Sequence, residues 1–159
     1  LKNAKRKTKR LKAMTENKRG FEFLEHTADA YIAAYGEDLA EAFENAALAL
    51  FETMTDTKAV KPTKERTINA KGADKQALLY NWLERLLVLF EVEGMLFSKF
   101  KISKIQRAEE VFRLEAKAYG ESYDPERHRQ KVGVKAVTYH RMEVNEAPGR
   151  VVLKFILDI

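Results

Sequence analysis

Residues 111–119 read Val-Phe-Arg-Leu-Glu-Ala-Lys-Ala-Tyr, and their alternation of apolar and charged side chains decides the fold class. Phe112, Leu114, Ala116 and Ala118 fall on one side of an extended chain, and the charged residues between them fall on the other. This pattern is typical of a strand in an antiparallel sheet with one face buried. Other elements must then cover the apolar face.

Strand patterns recur on both sides of this segment. A polar connection is predicted at 122–130 and a hairpin tip at 145–149, and segment 65–70 reads as an edge strand. The remaining predicted strands cover residues 21–25, 31–35, 96–105, 132–144 and 150–157.

Two amphipathic helices are predicted. The first begins at the N-cap Asp38 and runs to about Met54, and the second runs from about Asp74 to Val92 and stops at Gly94. Because the strands cluster instead of alternating with helices, the sequence favours a single α+β domain. In it, an antiparallel sheet packs with two main α-helices.

Charge is unevenly distributed along the chain. Residues 1–13 hold seven basic side chains and no acidic one, and without them 22 basic residues face 24 acidic ones. We divide the chain into a basic N-terminal extension, residues 1–20, and a folded domain, residues 21–159. Met14 is the expected native start, and an arm that contacts nucleic acid is the alternative. The folded domain offers no compositional case for nucleic-acid binding.

Several classes of chemistry are disfavoured by what the sequence lacks. It has no cysteine, which excludes disulfides and thiolate metal sites. It contains no apolar run long enough for a membrane span, no glycine-rich phosphate loop and no nucleophile elbow. We expect a cytoplasmic protein without a catalytic centre of its own.

Two carboxylates stand where a cation site could form. Asp29 lies in a turn between two short strands, and Asp158 follows the last strand directly. If those strands are neighbours, both side chains and the terminal oxygens of Ile159 converge, and hard cations such as Ca²⁺ or Mg²⁺ prefer such oxygen ligands. An Asp that merely holds a turn and a solvated acidic terminus are the alternatives. We expect Ile159 to pack against the core.

Three further side chains are candidates for the site. Lys135 falls in a predicted strand, on one face with Val137 and Tyr139, from which it could neutralise the carboxylates or reach a phosphate. An ordinary surface lysine is equally compatible with the pattern. His26 and His140 could bind zinc together with a carboxylate, or could be hydrogen-bonded structural residues.

Taken together, several motifs make the chain resemble the archeases. The resemblance runs in order from Phe21 to Ile159, and its blocks are Glu25-His26-Thr27-Ala28-Asp29, Tyr35-Gly36, Leu39–Glu44, Ala77–Tyr80, Leu83-Glu84, Leu86–Leu89, Ala116–Glu121, Val134–His140 and Asp158-Ile159.

This resemblance implies a function more specific than the spacing of residues does. Archeases assist the GTP-dependent RNA ligase of tRNA splicing, promote guanylylation of the ligase histidine and allow multiple turnover. It also implies a divalent cation, Ca²⁺, held by Asp29, Asp158 and a main-chain oxygen of Ile159. It assigns Lys135 a functional role as well, and RNA contact would be indirect or weak.

Other functions remain open at this point. The family is also linked to a chaperone role, in which it prevents aggregation of a tRNA cytosine-5 methyltransferase and sharpens its specificity. An independent metal-dependent enzyme is a third class, disfavoured because no general base accompanies the predicted cation. Direct RNA binding by the basic leader is a fourth.

Overall fold

The computed structural model describes residues 20–26 and 29–159, so that the basic leader and the residues Thr27 and Ala28 lie outside the described part. In chain order the elements are β1 (Phe21–Leu24), β2 (Ala30–Gly36), α1 (Leu39–Met54), a short 3₁₀ turn (Thr57–Ala59), β3 (Lys64–Gly72), α2 (Lys75–Glu93), β4 (Met95–Ala108), β5 (Val111–Ser122), β6 (Ala136–Ala147) and β7 (Arg150–Asp158).

The strands form two antiparallel sheets, which confirms the α+β fold class. A four-stranded sheet has the order β1-β2-β7-β6, and a three-stranded sheet has the order β3-β5-β4. The alternation of residues 111–119 is observed as predicted: Leu114, Ala116 and Ala118 are buried in β5, while the charged residues between them are exposed. β3 is an edge strand, as its sequence indicated.

Local signals in the sequence set the helix boundaries. The Asp38 side chain accepts a hydrogen bond from the backbone N–H of Glu41, and Asp74 accepts one from Ala77. Each cap satisfies an N–H group that the first helical turn leaves without a partner. α2 ends at Gly94, whose φ of 68° is left-handed and suits glycine.

The two helices join both sheets into one apolar core. α1 contacts β2 of the larger sheet and β4 of the smaller, and α2 contacts β6 and β3. The helices are tied to each other by Trp82, which is fully buried and donates its indole N–H to the carbonyl oxygen of Phe43 over 2.9 Å. A single domain is therefore confirmed for the described residues. None of their helices has the length and apolar character that crossing a bilayer requires.

Two predicted boundaries around β6 were wrong. This strand begins at Ala136 instead of residue 132, because the backbone N–H groups of Lys131 and Val132 bond the carbonyl oxygens of Met54 and Thr53 at the end of α1. The hairpin tip is also tighter than residues 145–149. Pairing continues to Ala147 and Arg150, and Gly149 turns the chain with a φ of 73°.

Candidate functional site

The larger sheet brings the two candidate carboxylates to one edge. β7 lies between β2 and β6, with Ala30 paired to Leu157 and Ala136 paired to Asp158. Asp29 directly precedes Ala30, and Asp158 directly follows Leu157, so that both aspartates flank the same cross-strand pair. Such pairs hold their Cα atoms about 4.5–5.5 Å apart. The pairing thus makes β2 and β7 neighbours, which is the condition set for a shared cation site.

Lys135 reaches the same edge from the opposite side of β7. Its backbone N–H donates to the carbonyl oxygen of Asp158 over 2.7 Å, which extends the β6–β7 ladder by one bond. The residue is exposed and directly precedes β6. Val137 is buried, and Tyr139, where the bulge begins, is exposed. That Lys135 shares a face with these two residues stays a prediction.

The final residues are held by the core. Along β7, Leu153, Phe155, Ile156 and Leu157 are buried, and Ile159 packs, half-buried, against the core cluster. The expectation that this apolar residue packs is confirmed. Its main-chain oxygens therefore stay next to Asp158 instead of fraying into solvent.

The donor set at this edge fits a hard cation. Asp29, Asp158 and the main chain of Ile159 offer only oxygen atoms, which suit Ca²⁺ or Mg²⁺. Within residues 20–26 and 29–159, no group of three or more His, Cys, Asp and Glu side chains has the geometry of a metal site. A cation bound here would therefore depend on main-chain oxygen and would keep positions open for outside ligands.

His26 lies on the hairpin that also carries Asp29. Its ring packs edge-on against Tyr31, with the ring centroids 6.0 Å apart. The buried ring Nδ1 has no hydrogen-bond partner in the described part of the chain. Among the described residues this nitrogen is therefore an exception to the rule that buried polar atoms are paired.

His140 lies in a bulge of the edge strand β6. Thr138 pairs with Ile156 and Glu143 pairs with Lys154, so that residues 139–142 have no register partners opposite Phe155. His140 is exposed and stands four residues along β6 from Ala136, at most about 13 Å.

Contacts on both sides of His140 hold this bulge in place. Arg141 has a φ of 56°, and its guanidinium lies 6.0 Å from the ring centre of Tyr31. Tyr139 stacks on Tyr80 with the ring centres 4.4 Å apart. Because Tyr31 also contacts His26, it links the bulge to the hairpin of Asp29. A zinc site that joins the two histidines gains no support from the described residues.

Sequence reasoning missed a polar cluster around His128. This side chain is buried, its Nδ1 accepts a hydrogen bond from the backbone N–H of Asp124 over 2.8 Å, and its Nε2 lies 3.1 Å from Glu121. Glu121 also accepts from the Lys61 backbone and pairs with Arg127. The cluster closes the polar connection predicted at 122–130. Asp124-Pro125 was its only signal in the sequence.

Glu121 is electrostatically adapted to this cluster. Burial by itself would raise the pKa of the carboxyl group. The Lys61 N–H, the His128 ring and the Arg127 guanidinium outweigh burial and hold the pKa of Glu121 below its ordinary value. The ionised form is thus the one that holds the connection in place.

Relatives of this chain are known from several archaea. "Protein archease" of Sulfurisphaera tokodaii is 49% identical over 139 residues, which cover 87% of this chain and 98% of the relative. "Protein archease" of Methanothermobacter thermautotrophicus is 46% identical over 141 residues, 89% of this chain and 99% of the relative.

Solved structures agree with the fold. The solution structure of Methanobacterium thermoautotrophicum protein 1598 matches with a TM-score of 0.77 and 46% identity, over 88% of this chain and 99% of that one. A crystal structure from Thermotoga maritima, described as an archease and possible chaperone, matches with a TM-score of 0.55 over 87% of this chain and 96% of that one. Its 16% identity shows the fold alone. The sequence model of the archease protein family matches residues 21–159, and the chain belongs to that family.

Proposed function

We propose that this protein is an accessory activator of a GTP-dependent RNA ligase of tRNA splicing. It promotes guanylylation of the ligase histidine and multiple turnover through a divalent-cation site at Asp29, Asp158 and Ile159. The observation that carries the proposal is the pairing of β7 with β2 on one side and β6 on the other. That pairing is what brings two carboxylates and Lys135 to one sheet edge.

The chemistry of this edge suits a partner's active site better than a closed catalytic pocket. Lys135 is exposed, and Asp29, Asp158 and Ile159 are only half-buried, so that another protein can reach all four. A bound Ca²⁺ would supply positive charge that helps to position a triphosphate. Asp29 and Asp158 hold the oxygens, the packed Ile159 fixes the main chain, and Lys135 adds a cation for a phosphate. His26 lies three residues before Asp29 on the same hairpin.

Single-turnover guanylylation of the purified ligase with GTP tests this function. The full-length chain should raise the rate, and Asp29→Ala and Asp158→Ala should abolish the stimulation while the circular dichroism spectrum is kept. Glu143→Ala serves as the control, because this exposed carboxylate lies farther along β6. Full stimulation by either aspartate variant would refute the role of the site.

Lys135 can be tested separately from the cation. Lys135→Met should lower the stimulation of guanylylation and leave Ca²⁺ affinity, measured by calorimetry, within about twofold of wild type. The reason is that the backbone N–H bond to Asp158 does not depend on the side chain. Unchanged stimulation would remove Lys135 from the mechanism.

A chaperone function for a tRNA cytosine-5 methyltransferase is the second candidate. It draws support from the description of the T. maritima relative as a possible chaperone and from apolar side chains exposed on α2, Val88 and Val92. Light scattering of the heated methyltransferase, with and without this protein, tests it. Val88→Ser with Val92→Ser should reduce the protection, and equal protection would exclude this surface as the binding site.

A further inference from the structure

The outer face of the three-stranded sheet is open and strongly basic. On its inner face, Ile68, Leu114 and Ala118 are buried under the helices. Two glutamates, Glu65 and Glu115, stand on the outer face of the sheet. The basic residues of this face, all exposed, are Lys71, Lys99, Lys101, Lys104, Arg113 and Lys117. The face therefore carries a net charge of +4.

This concentration of charge contrasts with the rest of the folded part. The described residues contain 20 basic and 23 acidic side chains and so have a net charge of −3. Of the six basic residues on the outer face, only Lys117 has a carboxylate of the described residues within ion-pair distance. This carboxylate belongs to Glu65 and lies at 3.4 Å. The overall composition averages the basic outer face with the acidic remainder of the domain. For this reason, the folded domain gave no compositional sign of nucleic-acid binding.

Two cross-strand pairs on this face oppose its stability. Lys101 is the cross-strand partner of Lys117, and Lys71 is the partner of Arg113. Like charges directly opposite each other on a sheet destabilise the pairing. A ligand that neutralises these two pairs would relieve the repulsion between them.

The surface between these residues is concave. A shallow groove of 540 Å³ is lined by Thr67, Asn69, Lys101, Lys117 and Tyr119, among others. A second groove of 580 Å³ shares Asn69 and Glu115 with it. The second groove adds the basic residues Lys71, Arg85 and Arg113 and the acidic residue Glu84. The two grooves adjoin at Asn69 and Glu115 and form a track across β5 that is lined by five basic and two acidic side chains.

We propose that this track binds the phosphate backbone of single-stranded RNA. Arg113 and Lys117 lie four residues apart on β5, about 13.6 Å along the strand, with Glu115 on the same face between them, and each can bind a different phosphate of a repeating polyanion. Arginine holds phosphate in a bidentate manner, and Asn69 and Thr67 add hydrogen-bond donors near the backbone. The choice of RNA over other polyanions rests on the proposed partnership with an RNA ligase. Such direct contact differs from the weak or indirect RNA contact that the resemblance implies.

Fluorescence anisotropy with a labelled oligouridylate and the full chain tests the proposal. Replacing Lys101, Arg113 and Lys117 by Gln should weaken binding at least about tenfold at low salt. It should also reduce the slope of log K against log salt by about 2, since each phosphate contact on a single strand contributes about 0.7. The melting temperature should stay equal or rise, because two like-charge contacts disappear.

The matched control removes the same charge elsewhere. Lys58, Arg129 and Lys154 lie outside the two grooves, and changing all three to Gln should leave most of the affinity. Since the basic leader is present in every variant, its contribution cancels. Equal losses in the two triple variants, or no binding by the wild type, would overturn the proposal. The single variant Lys101→Gln gives the same test on a smaller scale, with a slope change of about 0.7.

Two further measurements define the ligand and separate this inference from the proposed function. Equally tight binding of polyglutamate, whose charges are carboxylates, would refute a site for a phosphate backbone. Asp29→Ala should bind RNA as the wild type does, although it fails to stimulate guanylylation. If the wild type stimulates the ligase but the Gln triple variant binds RNA as tightly as the wild type, the RNA track is refuted. The proposed cation site is not affected by that result.

Discussion

At the scale of single residues, carboxylates of this protein differ in the contacts that surround them. Glu121 accepts hydrogen bonds from the Lys61 backbone and the His128 ring and forms an ion pair with Arg127. Its carboxylate therefore has its partners within the protein. Asp29 and Asp158 are half-buried at one edge of the larger sheet, where the proposed cation would bind. Contacts within the fold, more than exposure, separate the two roles.

The lowered pKa of Glu121 makes its contribution to stability depend on pH. A carboxyl group with a lower pKa in the folded state stabilises the fold above its unfolded pKa of about 4.3, and this contribution is lost as pH falls through the folded pKa. Glu121→Gln should therefore lower the melting temperature at pH 7, and the difference from wild type should shrink below about pH 4. Glu126→Gln in the same connection is the control. A pH-independent difference would contradict the ionic role of Glu121.

Calcium should stabilise the chain through the two aspartates. A ligand that binds only the folded state raises its stability by RT ln(1 + [L]/Kd), about 2.7 kcal/mol at a hundredfold excess over Kd. Differential scanning fluorimetry should show the melting temperature rising with Ca²⁺ in the wild type and not in Asp29→Asn/Asp158→Asn. Glu143→Gln should respond as the wild type does. An equal shift in all three proteins would place the ion elsewhere.

At the scale of elements, helix ends and close backbone approaches decide how sheets and helices fit. Asp74 caps α2 through one hydrogen bond of 2.7 Å. Asp74→Ala should lower the free energy of unfolding by about 1 kcal/mol, measured by urea denaturation, because one N–H of the first turn loses its partner. Asp74→Asn should keep most of the stability, since asparagine caps as well. A loss as large in the Asn variant would show that the cap bond is not the cause.

Gly120 lies where two backbones meet. A Cβ atom at this position would stand 1.8 Å from the carbonyl oxygen of Leu96 in the neighbouring strand β4. Gly120→Ala should therefore cost at least about 2 kcal/mol of unfolding free energy in urea denaturation, because β4 must shift. Gly133→Ala, where a Cβ meets nothing within 4 Å, is the matched control and should change stability little. Similar effects of the two substitutions would refute the steric cause.

The elements also show which parts of the structure could be predicted from sequence. The helices and most strands could, because spacing and caps are local signals. The start of β6 could not, since residues 131 and 132 bond the end of α1, more than seventy positions earlier. Likewise the meeting of Asp29 with Asp158 depended on the order of strands, which the apolar pattern alone leaves open. The sequence predicted that Asp29 and Asp158 converge only on the condition that their strands are neighbours.

At the scale of the whole molecule, the face of the smaller sheet differs in charge from the rest of the described domain. The proposed cation edge belongs to the larger sheet, and the basic track belongs to the smaller one, with the two helices linking both sheets. A ligase active site and its RNA could thus be met by separate faces of one domain. The net charge of the sequence conceals this division, because it averages over both faces.

The bulge at residues 139–142 has a consequence for self-association. β6 forms an outer border of its sheet, and such borders are templates on which a strand from another chain can add. A visiting strand that pairs up to Thr138 would lose its register within the bulge at residues 139–142, where Arg141 has a φ of 56°. The irregular border therefore opposes the regular addition of a strand from another copy at β6.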